Sequence, residues 1–155
     1  MTNRIGLNSE KSKELAELLN DLLANYSMFY QNVRGYHWNI KGEKFFELHL
    51  KFEELYNDLF LKIDEVAERI LTLGHTPQHK FSGYADVSQI KESSSVNDGY
   101  KAVENILDSF KTLLIKQRHL LSLSADDDEG TNAQMSDYIR EQEKLVWMYS
   151  AFLNK

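Results

Sequence analysis

Four long stretches of the chain repeat apolar side chains every three or four residues, the spacing of one buried helix face. The first begins near Asn8 or Ser9, either able to cap a helix, and carries Leu15, Leu18, Leu19, Leu22, Tyr26, Phe29, Tyr30 and Val33. His37 continues that stripe, and the turn between Gly35 and Gly42 is expected to end it. The second runs from about Phe45 to Leu73 and stops at Gly74-His75-Thr76-Pro77. The third starts near Ser95 or Asn97 and includes Val103, Ile106, Phe110, Leu113, Leu114 and Leu120. A polar break from Ser124 to Gly130 precedes the fourth, with Met135, Tyr138, Ile139, Leu145, Val146, Tyr149 and Phe152.

The connections predict the topology. Short turns join the first segment to the second and the third to the fourth, which makes each pair antiparallel neighbours. Residues 74–96 form a long link, enough to cross the bundle, with a short helix expected around Tyr84 to Ile90. The fold class is therefore all-α: a four-helix bundle with one long crossover between helices two and three, the ferritin-like arrangement. Residues 1–155 are expected to form a single domain, with 1–8 as a short N-terminal tail.

Plotted at 100° per residue, the second helix separates into three stripes. Phe52, Leu55, Leu59, Ile63, Val66, Ile70 and Leu73 form a core stripe. Lys51, Glu54, Asp58, Lys62, Glu65 and Arg69 form a charged stripe expected to face solvent. Between them lie His49, Glu53, Tyr56, Phe60, Asp64, Ala67 and Leu71, a second partly apolar face. One apolar stripe suffices inside an isolated bundle, so the extra one is expected to pack on a second copy of the chain.

That extra stripe carries the candidate chemistry. His49/Glu53 and Asp64/Glu68 are both spaced i, i+4, which stacks each pair on one helix face. From Glu53 to Asp64 the helix rises roughly 16 Å, whereas a metal–ligand bond is about 2 Å. One chain cannot bring both pairs to one ion. An antiparallel two-fold partner can, by bringing His49 and Glu53 of one copy to Asp64 and Glu68 of the other. His37 would join from the end of the first helix, and two equivalent sites per dimer would result. Taken singly, acid pairs four apart are common on solvated helices and a lone histidine is commonly a boundary residue. Their shared facing and the second apolar stripe favour the joint site.

Two imidazoles and three carboxylates suit iron, manganese or zinc better than calcium or copper(I). An intrachain di-iron bundle would carry Glu-x-x-His, and none of the five histidines has a Glu three residues before it. His75, His79 and His119 have no partner at ligand spacing and are read as structural.

Composition narrows the class without naming a function. The chain has 155 residues, 42% hydrophobic, with one proline, seven glycines and no cysteine. That fits a compact helical protein without disulfides or thiolate sites. A net charge of −6 argues against attraction to DNA or anionic lipid over the whole surface. No apolar run is long enough for a transmembrane helix and no secretory signal begins the chain, so a cytoplasmic protein is expected, with nucleoid association left open.

Several runs around these residues resemble one family. Tyr36-His37-Trp38-Asn39-Ile40-Lys41-Gly42, Phe45-Phe46-Glu47-Leu48-His49, Phe52-Glu53-Glu54-Leu55-Tyr56 and Asp64-Glu65-Val66-Ala67-Glu68-Arg69-Ile70 are similar to blocks of the Dps proteins, the mini-ferritins of starved bacteria. The late run Glu143-Lys144-Leu145-Val146-Trp147-Met148 is also similar. The resemblance implies four-helix subunits assembled as a hollow homododecamer. It implies intersubunit ferroxidase centres that oxidise Fe(II), preferably with hydrogen peroxide, and ferric mineral stored in the cavity against oxidative damage. His37, His49 and Glu53 would come from one subunit, Asp64 and Glu68 from its neighbour, around a di-iron site in which zinc or manganese could substitute. The family usually has Asp where this chain has Glu53, a side chain one methylene longer.

The resemblance adds two further expectations. Trp38, beside His37, is either a redox-active side chain or interface packing. Acids before the last helix line three-fold pores in similar cages, which makes Asp128 and Asp137 pore candidates, although the run Asp126 to Glu129 also suits a helix N-terminus. Some members compact DNA through lysine-rich tails. Here Arg4 and Lys11 are offset by Glu10, and only Lys155 follows the last helix, so DNA binding is expected to be weak or absent. A non-catalytic cage that binds and protects DNA is the alternative reading.

Overall fold

The computed structural model describes all of residues 1–155. Four long helices and one short one make up the chain: α1 Ser9–Asn39, α2 Phe45–Thr72, α3 Phe81–Val87, α4 Gly99–Ser124 and α5 Glu129–Phe152. α1 pairs with α2 and α4 with α5 as two hairpins, and α1 also packs on α4. α3 rides on α1 within the crossover, as the long link between the second and third long helices predicts. No helix is long and apolar enough to cross a membrane.

Helix ends follow side-chain chemistry. Asn8 caps α1 by accepting from the Lys11 amide at 3.0 Å. Residues 1–8 fold back as a turn, in which the Asn3 side chain accepts from Leu7 N and donates to Ser12 Oγ, both at 3.0 Å. Gly35 lies inside α1 and does not end it; the reversal falls at Gly42, where φ is +104°. Asp98 caps α4, accepting from Lys101 N at 2.9 Å, so that helix starts beyond the expected Ser95 or Asn97. α3 also sits earlier than the expected Tyr84 to Ile90. Asn25 Oδ1 accepts from Ser88 Oγ, Gln89 N and Ile90 N at 3.0–3.1 Å, which requires non-helical chain after Val87.

One contiguous core runs through the bundle, with Leu19, Tyr26 and Phe29 from α1, Phe52 and Leu59 from α2, Ile106 and Phe110 from α4, and Met135 from α5. At its centre Tyr26 donates its hydroxyl hydrogen to Gln117 Oε1. Gln117 Nε2 donates to Gln142 Oε1 at 2.8 Å, and Gln142 Nε2 returns to the Tyr26 oxygen at 2.6 Å. This closed ring satisfies polar groups that would otherwise be costly to bury. Burial holds the Tyr26 phenol well above its usual pKa.

The charged stripe of α2 is where the structure corrects the sequence. Glu54 and Glu65 are exposed as expected, but Lys62 is buried, and part of the stripe forms ion pairs and hydrogen bonds with α5. Lys62 is 4% exposed, with its ammonium between Asp58 at 2.9 Å and Glu141 at 3.0 Å and above the Tyr138 ring. Glu65 accepts from the Tyr138 hydroxyl at 2.7 Å, and Arg69 reaches Asp128 and Thr131. Burial works against the Lys62 charge, but hydrogen bonds to Asp58 and Glu141 outweigh it and its pKa is raised. The face left open is the third stripe, where Phe60 is 59% and Leu71 57% exposed, flanked by exposed Leu50 and Leu61.

Candidate metal centre

The two sequence-predicted histidines meet where α1 ends and α2 begins. His37 Nδ1 bonds the His49 carbonyl at 2.6 Å, and His49 Nδ1 bonds the His37 carbonyl at 2.8 Å. A carbonyl only accepts, so each Nδ1 carries a hydrogen and each neutral ring keeps its lone pair on Nε2. That is the tautomer a metal ligand needs, fixed by the backbone of the other histidine. The rings stack with centroids 3.8 Å apart, and Phe45 covers the far face of His49 at 4.8 Å. Tyr56 packs edge-on against His37 at 5.3 Å.

Glu53 does not pair with His49, four residues earlier. Its Oε1 lies 3.8 Å from His37 Nε2, while no carboxylate oxygen stands within 4.0 Å of His49. The cause is the clamp. His49 is drawn back toward α1 by its carbonyl bond and wedged between Phe45 and His37, away from the next turn. Asp64 and Glu68 sit further along the same helix, exposed, with no ion pair or hydrogen bond to their carboxylates. No group of three or more histidine or acidic side chains converges on one point within the chain. The structure thus stacks His37 on His49 and sets Glu53 beside His37 alone, and it leaves Asp64 and Glu68 apart.

The outlying candidates divide. Asp128 is 3% exposed and its carboxylate is fully engaged, accepting from Thr131 N at 3.0 Å, Thr131 Oγ1 at 2.7 Å and Arg69 at 2.7 Å. It caps α5, with its carboxylate taken up by Thr131 and Arg69. Asp137 is exposed and pairs with Arg140 at 3.1 Å. Trp38 is 55% exposed, with the Arg34 guanidinium 4.8 Å from its ring centroid. The paired carbonyl bonds leave no mark in the sequence, because backbone acceptors are invisible to side-chain spacing. Phe45, four residues before His49, was discoverable as its stacking partner.

Known proteins share this sequence pattern and fold. The sequence matches the ferritin-like domain family over residues 16–155. An uncharacterized protein of Haemophilus influenzae is 56% identical over 148 residues, 95% of this chain and 92% of that protein. The DNA protection during starvation protein of Porphyromonas gingivalis is 40% identical over 151 residues, covering 97% of this chain and 95% of the relative. The crystal structure of the Dps protein from Vibrio cholerae O1 superposes with a TM-score of 0.97 at 59% identity, covering 98% of this chain and 96% of that one. That protein is described as a member of a broad superfamily of ferritin-like diiron-carboxylate proteins. The chain belongs to the Dps branch of the ferritin-like family.

Proposed function

We propose that this protein is an iron-storing ferroxidase whose catalytic centres are completed between two subunits. One observation carries the reading: the half-sites are arranged symmetrically on an open, partly apolar helix face. His49 and Glu68 are equidistant from a point between positions 58 and 59, and so are Glu53 and Asp64. The same point is the middle of α2, Phe45–Thr72. A two-fold axis there, with α2 antiparallel to its mate, carries each half-site onto its complement and covers Phe60 and Leu71. The Vibrio cholerae relative's description as a diiron-carboxylate protein supports iron as the ion.

Fe(II) is the substrate. His37 and His49 supply neutral nitrogen donors with fixed tautomers, and Glu53 with the mate's Asp64 and Glu68 supplies negative charge that favours the ferric product. Two Fe(II) give up one electron each. Hydrogen peroxide takes both electrons and two protons to form two waters, so no hydroxyl radical is released. Stored ferric mineral within a closed homo-oligomer, a dodecamer by family resemblance, and a cytoplasmic setting complete the proposal. Asp137 remains the acid proposed for an entry pore, and Trp38 is assigned to packing beside the site. DNA binding ranks below iron chemistry: Lys11 is paired with Asp127 at 3.0 Å and Lys155 with Glu104 at 3.1 Å, which leaves few terminal cations for phosphate.

Complementation tests the shared site. His37→Ala and Asp64→Ala homo-oligomers should each lose about 100-fold or more in the initial rate of peroxide-driven Fe(II) oxidation. Co-assembled, the two variants should regain activity, since each mixed dimer holds one intact site. Mixed assemblies as inactive as either parent would refute an intersubunit centre.

A further inference from the structure

We infer that a polar cleft between α1, α4 and the crossover binds a small polyhydroxylated molecule bearing an amine, a monosaccharide unit of the amino-sugar kind. The cleft encloses about 290 Å³, and only Tyr36 and Ile90 among its 11 lining residues are hydrophobic. None of the 11 lies on α2, so the cleft is off the face proposed to meet a second copy. Tyr36 and His37 are neighbours in sequence but point roughly 100° apart around α1.

The walls are in place before any ligand arrives. Asn32 donates to Lys91 O and accepts from Ser93 N, both at 2.9 Å, while Asn25 accepts from Gln89 N and Ile90 N. These bonds fix residues 89–93 against α1. From α4, Asn105, Ser109 and Thr112 line the cleft at i, i+4 and i+7, on one helix face. Tyr36 is 5% exposed, with its ring 6.2 Å from Phe52. No group of the protein bonds its hydroxyl, yet no buried side-chain nitrogen or oxygen is left unpaired, so this oxygen opens onto the cleft. A hydroxyl on so buried a ring normally finds a partner. Here the partner has to come from the cleft.

The lining selects the ligand. With little apolar wall, affinity depends on hydrogen bonds, which favours a molecule dense in hydroxyls over an apolar one. Tyr36, Asn105 and Ser109 each offer a donor and an acceptor, as sugar hydroxyls do. Charge narrows the class further. Asp108 and Glu92 form no ion pair, while the Lys91 ammonium donates to Ser88 O at 2.6 Å. One cation against two carboxylates leaves the lining negative, which disfavours phosphates and organic acids and favours a single amine. The volume is at the lower end for small-molecule sites, which suits one sugar unit.

Saturation-transfer NMR and calorimetry on the assembled full-length protein test this with glucosamine, glucose, glucuronate and putrescine. Glucosamine should bind saturably, glucose about threefold more weakly, and glucuronate more weakly than either. Putrescine carries positive charge without hydroxyls and should not displace glucosamine at equal concentration. Tyr36→Phe, which removes only the hydroxyl, and Asn105→Ala should each weaken glucosamine binding about fivefold. Asp108→Asn should bring the affinities for glucosamine and glucose closer together. Asn105→Ala should bind cobalt(II), an ion the proposed metal centre does not oxidise, as the wild type does, which separates the cleft from that centre. A glucosamine tetramer distinguishes the sources: tighter binding than the monomer assigns the cleft to a chain end, weaker binding to the free sugar, and either supports the inference. No saturable binding of glucosamine, full displacement by putrescine, or undiminished binding in both Tyr36→Phe and Asn105→Ala would overturn it.

Discussion

Lys62 shows how much a single residue's setting can reverse its apparent role. By spacing it belongs to a charged, solvated stripe; in the structure it is buried between Asp58 and Glu141. Replacing a buried ion pair with an apolar group of similar volume is often near neutral, whereas leaving one charge buried without partners costs about 3–5 kcal/mol. Lys62→Met should therefore shift the thermal midpoint little. The double variant Asp58→Ala/Glu141→Ala should lower it clearly, since the ammonium keeps its burial and loses both partners. Scanning calorimetry at fixed protein concentration measures both, and an equally large loss in Lys62→Met would show that the charge itself stabilises the α2–α5 seam. The same residues mark what the sequence could reveal. Apolar positions such as Phe52, Leu59 and Ile70 repeat with one period and have one meaning, so the core was legible. Charged positions four apart look alike whether they meet water or an opposite charge on another helix. Asp128 was ambiguous for that reason, and Arg69 and Thr131 prove to be its partners.

Helices and the turns between them place the proposed metal ligands. Their spacing was legible because i, i+4 placement on α2 is a property of the element itself; the contact of Glu53 with His37 was not, because it depends on how α1 and α2 dock. Docking is set by the reversal at Gly42, where φ is +104°, and by Lys41 N bonding Asn97 O at 2.9 Å beside the start of α4. A side chain at Gly42 meets no neighbour, so its cost is backbone strain alone, about 1–2 kcal/mol for an L-residue in that region. Gly35 lies within α1, also without near neighbours to an added Cβ. There Ala should stabilise by about 0.5–1 kcal/mol, by helix propensity and a less flexible unfolded chain. Gly42→Ala should thus lower the melting temperature and Gly35→Ala raise it. Gly42→Ala should also weaken cobalt binding, because His37 and His49 hold each other across that turn. A destabilised Gly42→Ala protein with unaltered cobalt affinity would separate the turn from the site.

At the scale of the whole molecule, folding and function make different demands on α2. A lone subunit leaves Phe60, Leu61 and Leu71 more than half exposed, although the bundle behind them is complete. At roughly 25 cal/mol per Å² of apolar surface, covering such a face strongly favours association. Because the proposed ligands share that face, the association that hides the apolar groups would also assemble the proposed centre. Activity should then depend on protein concentration or assembly state even when every ligand is present. Phe60→Glu tests this dependence, since position 60 lies close to the middle of α2 and the change touches no ligand. Two glutamates facing across the axis repel one another and resist desolvation. Sedimentation velocity should show smaller species with helical content unchanged, and Fe(II) oxidation should fall about tenfold or more in parallel. Raising the protein concentration should restore both together, because mass action drives the same interface. Dissociated Phe60→Glu subunits that oxidise iron at the wild-type rate would mean that one chain suffices, and the shared centre would have to be abandoned.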